Sequence, residues 1–226
     1  MLVLALDTST ETVAVGLLRV PQDGEPTVLA AEAHPGARRH GEQLMPSVQA
    51  VCAKAGHRLD ELASVVCGVG PGPFTGLRVG LVSAASLGDA LGVPVYGVCS
   101  LDAIATVAGA GGPLLVVSDA RRRELYWAAY DEYGERTHGP SVDTPAALAG
   151  RVTELGVRRV AGPVAAAYAE ALGLPESPPG LTPSPAGLVA SAGVALRAGS
   201  APGPLEPLYL RRPDAVPPGE RKRVNA

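Results

Sequence analysis

Residues Leu2–Leu6 are apolar without interruption, and after the polar turn Asp7–Thr12 the residues Val13, Val15 and Leu17 recur at every second position. A continuous run suits a strand buried on both faces, and a period of two suits a half-buried strand, so the pair reads as a hairpin. A turn over 21–26 and an apolar stretch over 28–33 extend it to a three-stranded meander. Leu44, Val48, Val51, Cys52 and Ala55 then repeat at helical spacing, which predicts a helix over 41–55. A strand over 64–69, a glycine-rich elbow, a helix over 76–91 and a strand over 93–98 follow. Ser100 is the expected N-cap of a helix over 101–108. Pro113 opens a second cycle, with strands over 114–118 and 125–130, helix character over 144–155, a strand over 158–162 and an alanine-rich helix over 164–172. A proline-rich linker over 175–185 leads to a last helix through Leu188, Val189, Ala192 and Leu196. The order reads as an α/β fold in two halves. Residues 1–105, completed by the helix over 186–199, form the first, and 106–185 form a smaller second. The charged, proline-containing stretch 212–226 is expected to be a disordered tail.

The 226 residues and their 46% apolar content suffice for such a core. A formal charge of −3 argues against a free-standing nucleic-acid binder, because phosphate contacts call for a basic surface. Cys52, Cys67 and Cys99 lie far apart in apolar stretches, without pairing or metal-ligand spacing. They read as buried thiols in a reducing compartment. The apolar start reaches Asp7 without a basic flank or cleavage site, so a cytoplasmic protein without membrane contact is expected.

The elbow, Gly68 to Gly80, joins a strand to a helix start and gathers backbone N–H groups there. Such a corner suits an anion, or a partner that approaches the main chain closely. With Thr75 as N-cap, Arg78 falls at the third helical position. There it opposes the macrodipole at a cost of about 0.3–1 kcal/mol if exposed. A counter-charge is therefore expected, either internal (Asp7 or Asp102) or on another molecule. Phe74, the sole phenylalanine, is either a buried plug or a presented side chain. Along 76–91, Leu77, Leu81, Ala84 and Gly88 share one line, Val82 and Ala85 keep the remainder small, and only Arg78 and Asp89 are charged. The preceding helix carries Leu44, Met45 and Val48. Helices this apolar need cover on more than one side. A sheet and a partner would supply it, unless both helices simply pack on their own sheet.

Asp7-Thr8-Ser9-Thr10, Gly70-Pro71-Gly72-Pro73-Phe74-Thr75-Gly76-Leu77-Arg78-Val79-Gly80, Ser100-Leu101, Asp119-Ala120-Arg121-Arg122 and Pro207-Leu208-Tyr209-Leu210-Arg211 resemble the signature stretches of the TsaB (YeaZ) family of bacterial tRNA threonylcarbamoyladenosine biosynthesis proteins. The resemblance implies the actin/Hsp70/sugar-kinase fold, built from two ribonuclease-H-like halves. It also implies a non-catalytic partner of the catalytic paralogue TsaD, with the ATPase TsaE completing the complex. That complex transfers a threonylcarbamoyl group to the tRNA adenosine beside the anticodon. The tRNA would be met mainly through the complex, and the chain alone would form a homodimer. The interface would use Leu44, Met45, Val48, Leu77, Leu81, Ala84, Ala85 and Gly88. The elbow candidates are Asp7, Gly70, Gly72, Phe74, Thr75, Gly76 and Arg78. In one departure from the family pattern, Arg123 follows Arg122 in place of glycine or a small polar residue.

The catalytic paralogue carries a His-x-x-x-His metal pair, whereas here the position four after His40 is Leu44. A metal site made by this chain alone is therefore not expected, and the resemblance to a non-catalytic partner implies no cofactor and no catalytic residue. In ATP-binding fold relatives a carboxylate at the first hairpin places phosphates. Here the turn after Asp7 can equally cap itself through its own hydroxyls, and no Gly-Lys-Ser/Thr follows a strand. Asp7 is read as structural, and an ATP-binding enzyme of the actin/sugar-kinase superfamily is the alternative. Neither Gly-x-Ser-x-Gly nor a nucleophile–base pair appears.

Overall fold

The computed structural model describes residues 1–36 and 39–211, so the stretch 212–226 read as a tail lies outside it. Strands β1 (Leu2–Asp7), β2 (Thr12–Arg19) and β3 (Thr27–Pro35) form the meander. Helix α1 (His40–Ala55), a short 3-10 turn, β4 (Ser64–Gly68), α2 (Phe74–Leu91) and β5 (Val95–Val98) complete a five-stranded sheet of order β3-β2-β1-β4-β5. β1 pairs antiparallel with β2 and parallel with β4, in the register Leu4 to Val65 and Leu6 to Cys67. Both faces of β1 are buried, which explains its unbroken apolar run.

Helix α3 (Ser100–Ala108) leads to the second sheet. Its strands β6 (Leu114–Asp119), β7 (Leu125–Tyr130), β8 (Arg136–Asp143) and β9 (Arg159–Ala161) run in the order β8-β7-β6-β9. The two sheets share one plan: an antiparallel meander whose first strand also pairs with a parallel strand on its other side. Sequence periodicity missed β8. Its residues Arg-Thr-His-Gly-Pro-Ser-Val-Asp carry no apolar alternation, because this edge strand is largely exposed. The single helix read over 144–155 is two short ones, α4 (Pro145–Ala149) and α5 (Val152–Leu155), separated at Gly150 and Arg151. Helices α6 (Ala165–Leu172) and α7 (Pro185–Ala198) follow.

Four apolar clusters fix the layers. Leu44, Val48, Leu77 and Leu81 pack with Leu4, Leu6 and Val65 on one face of the first sheet. Leu188, Val189 and Leu196 of α7 cover its other face through Val3, Ala5 and Val66. In the second half, Leu148, Leu155 and Leu172 pack on Leu115, Val117 and Trp127. Leu101 and Ile104 of α3 cover the opposite face through Leu114, Val116 and Tyr130. Cys52, Cys67 and Cys99 are all buried free thiols. Burial pushes the Cys67 thiol up, and Cys99 up to about 11. Arg159 is buried beneath the connection between the halves. It donates from Nε to the Gly112 carbonyl (3.2 Å), from Nη1 to those of Ala108 (3.2 Å) and Ser177 (3.1 Å), and from Nη2 to that of Gly109 (2.7 Å).

Candidate functional site

Asp7 ends β1 with its carboxylate fully enclosed. Oδ1 accepts from the Ser9 amide (2.8 Å) and hydroxyl (2.7 Å), and Oδ2 accepts from the Ser100 hydroxyl (2.6 Å). Ser100 in turn donates its amide to the Gly70 carbonyl at 2.7 Å and accepts the Gly70 amide on Oγ at 3.2 Å. Ser100 is therefore the first residue of α3, with Cys99 in the cap position, and its hydroxyl serves the first hairpin instead of the helix end. Burial raises the Asp7 pKa above the usual carboxylate value, and the hydrogen bonds from Ser100 and Ser9 pull it the other way.

The elbow glycines are used by this same turn. A Cβ on Gly72 would stand 2.8 Å from the Ser9 carbonyl carbon and closer still to its oxygen, and one on Gly76 would stand 2.7 Å from the Thr8 carbonyl oxygen. The Thr8 hydroxyl donates to the Gly76 carbonyl (2.7 Å) and accepts from the Gly80 amide (3.1 Å). Ring nitrogen Nε2 of His40, at the start of α1, meets the Thr10 carbonyl at 2.9 Å, which makes it the protonated nitrogen. Backbone thus packs against backbone at Gly72 and Gly76, while a cavity of about 70 Å³ lined by Thr10, His40, Thr75, Gly76 and Arg121 remains beside the helix start.

Helix α2 begins two residues earlier than the sequence suggests. Phe74 is its first residue and Pro73 holds the cap position without a side-chain bond, so Thr75 is not the N-cap. Arg78 thus lies beyond the first turn, where the macrodipole has faded. It pairs with neither Asp7 nor Asp102. Its guanidinium sits 5.0 Å above the Phe74 ring, and Phe74 stacks on Tyr209 at 5.0 Å between centroids. Arg78 has no acidic partner among the described residues. Asp102 accepts from the Tyr130 hydroxyl (2.8 Å) and from Arg136 (3.1 Å) instead.

The expected interface residues require correction. Leu44, Val48, Leu77, Leu81, Ala84 and Gly88 are buried within this chain, because the line they share faces its own sheet. Met45 is half-buried, and of the eight only Ala85 is exposed. The outward face of α2 carries Phe74, Arg78, Val82, Ala85 and Asp89, which fall within about 80° of one another around the helix. Phe74 is 46% exposed, Val82 61% and Tyr209 43%.

Between the halves lies a cleft of about 440 Å³, lined by Ser9, Thr10 and Glu11 on one side and by Asp119, Arg121 and Tyr168 on the other. Arg121, Arg122 and Arg123 all adopt positive φ (62°, 52° and 61°), turning β6 into β7. Arg121 Nη2 meets Glu11 Oε1 across the cleft at 3.0 Å, and its Nη1 lies 3.5 Å from Asp119.

The family model described as TsaD, tRNA N6-adenosine threonylcarbamoyltransferase, matches residues 32–191. The Escherichia coli protein TsaB is 34% identical over 139 residues, 59% of this chain and 58% of that one. The solved structure of YeaZ from Pseudomonas aeruginosa superposes with a TM-score of 0.74 at 29% identity, covering 92% of this chain and 99% of that chain. The chain belongs to the TsaD family, in its TsaB (YeaZ) group. An uncharacterised protein of Mycobacterium tuberculosis H37Rv is 49% identical over 217 residues, 95% of this chain and 94% of that one. Component A of the Acidaminococcus fermentans (R)-2-hydroxyglutaryl-CoA dehydratase shares the fold alone, with a TM-score of 0.52 at 13% identity, covering 88% of this chain and 99% of that one.

In this TsaB-type chain the signature stretches converge in space. The Asp7 turn, the elbow and Ser100 form one hydrogen-bonded unit, Arg121 reaches it through Glu11, and Tyr209 caps Phe74. Among the described residues, no group of three or more His, Cys, Asp or Glu side chains could hold a metal ion, and no helix is long and apolar enough to cross a membrane. The partnership of Tyr209 and the outward position of Asp89 were missed in sequence. The spacing of Phe74, Arg78 and Val82 at every fourth residue was the available signal for that face.

Proposed function

We propose that this chain is a non-catalytic docking subunit of the tRNA threonylcarbamoyladenosine pathway, offering the outward face of α2 to a TsaD-type catalytic paralogue. The observation that carries the reading is the exposed stripe Phe74–Arg78–Val82–Ala85–Asp89 on a helix whose opposite face is already sealed on its sheet. The elbow supports the same reading. Its glycines admit the Ser9 and Thr8 carbonyls, so the corner works as an internal joint. A TsaE-type ATPase and the tRNA would be engaged through the assembled complex.

The stripe also suits a second copy. Arg78 and Asp89 stand about three turns apart on one line, so an antiparallel crossing places each beside its opposite charge, with Val82 and Ala85 between them. Self-association would then compete with the paralogue for one face. The deciding experiment measures binding of the catalytic paralogue and threonylcarbamoylation of tRNA in the reconstituted system. Val82→Glu is expected to weaken binding at least about tenfold, since it places a carboxylate in the centre of an apolar contact. Unchanged affinity with an unchanged fold overturns the proposal. The interlobe cleft favours the second reading, an ATP-binding enzyme. Micromolar ATP–magnesium binding with turnover by the isolated chain would establish it.

A further inference from the structure

Residues 200–211 leave α7 and cross the molecule as an irregular strap. The Tyr96 hydroxyl donates to the Ser200 carbonyl at 2.9 Å and fixes the near end. Leu205 packs into the α1/α2 core beside Gly97. Leu208 donates its amide to the Val69 carbonyl (2.9 Å), and its side chain touches the cores of both halves. Tyr209 then stacks on Phe74. Arg211 reaches the second half, donating to the Ala120 carbonyl (2.7 Å) and meeting Glu124 at 3.0 Å. Ala120 and Glu124 bracket the turn whose Arg121 returns across the cleft to Glu11. Glu11 belongs to the hairpin turn against which Gly72 and Gly76 pack. The contacts close a ring: elbow, Phe74, Tyr209, Arg211, the β6–β7 turn, Arg121, Glu11 and the elbow again.

We infer that the strap is a latch coupling the docking face of α2 to the opening of the interlobe cleft. This inference rests on the docking reading for its biological use, although the coupling itself belongs to the isolated chain. The latch is held mainly by side chains. Pro202, Pro204 and Pro207 supply no amide donors, and Leu208 to Val69 is the backbone bond that ties it to a sheet strand's end. An element held so lightly opens at low cost. Docking that displaces Tyr209 from Phe74 also loosens Arg211 from the β6–β7 turn, and closure of the cleft by the Arg121–Glu11 pair keeps that turn against Arg211 and so holds Tyr209 on the face. By linkage each event biases the other equally.

Hydrogen exchange on the isolated full chain tests the coupling from both ends. Phe74→Ala is expected to speed exchange at 120–124, in the other half, by about fivefold, and Arg211→Met to speed it at 70–76 by a similar factor, with β3 unchanged in both. Changes confined to the half carrying each substitution overturn the inference. Titration with the catalytic paralogue separates the two proposals. Loss of binding in Val82→Glu with a shift of about fivefold in Arg211→Met supports both. Retained binding in Val82→Glu defeats the docking reading, while the exchange result still decides the latch.

Discussion

Replacing Gly72 with alanine asks whether the elbow is a joint or an open loop. The added methyl would meet three backbone atoms of Ser9, with the carbonyl carbon at 2.8 Å, Cα at 2.9 Å and the oxygen nearer than either. Carbon–carbon contact is comfortable near 3.5–4.0 Å, so elbow and hairpin turn must separate by roughly 1 Å. Neither partner is a side chain that can rotate away. The shift pulls Ser9 from Asp7 and strains the Thr8 bonds to Gly76 and Gly80. Overpacking a tight site costs about 1–3 kcal/mol, and the lost buried bonds place Gly72→Ala at or above the upper end. Gly41→Ala is the matched control. It lies in the first turn of α1 with nothing within 4 Å of the new methyl, and it should be neutral or stabilising by up to about 0.5–1 kcal/mol. Urea unfolding of the two variants beside the parent measures the difference. A Gly72→Ala protein within about 0.5 kcal/mol of the parent would refute the joint, because a flexible loop absorbs a methyl at little cost.

Arg159→Met should cost about 3 kcal/mol or more in the same unfolding assay, since it leaves the carbonyls of Ala108, Gly109, Gly112 and Ser177 without their shared donor and an unsatisfied buried acceptor costs about 1–3 kcal/mol. A cost below about 1 kcal/mol would show that water replaces the guanidinium. Asp7→Asn carries a pH test. The native pKa lies above the ordinary 3.8, so the folded chain binds this proton more tightly than the unfolded one. The resulting stability is full below the unfolded value and is lost as pH rises through the folded value. Asparagine has no such loss, and its stability relative to the parent should therefore increase between pH 4 and pH 8. A flat difference would count against the raised pKa. Arg78→Asp should weaken self-association at least about tenfold by light scattering, and adding Asp89→Arg should restore it. Failure of the double exchange rules out the antiparallel crossing.

The strands of the first half were legible because β1 and β4 are buried on both faces and so leave runs that no loop would carry. Strand β8 was invisible, since an exposed edge of polar residues writes no period of two. The helical stripe of α2 was found, but its direction was reversed. Periodicity says that Leu77, Leu81, Ala84 and Gly88 share a side, and only the sheet shows that this side faces inward. The larger residues of that line, Leu77 and Leu81, were the available hint, because a helix turns its bulkiest apolar edge to the core. Ser100 and Thr75 illustrate a second limit. Both fit a capping pattern, yet Ser100 is drawn to Asp7, 93 positions earlier in the chain, and Pro73 starts α2 before Thr75 can cap it. The role of Arg159 left no mark on the sequence pattern, because its four acceptors come from segments scattered along the chain.

The three enclosed thiols make this polypeptide its own clock. A maleimide or iodoacetamide reagent meets no accessible sulfur while the chain is closed, and burial keeps Cys67 and Cys99 from ionising at neutral pH. Each alkylation therefore records one excursion. Cys67, in the middle of the first sheet, marks complete unravelling. Cys99 lies in the cluster joining α3 to the second sheet and marks parting of the lobes. The ratio of the two labelling rates would show how often the lobes part while the first sheet stays intact.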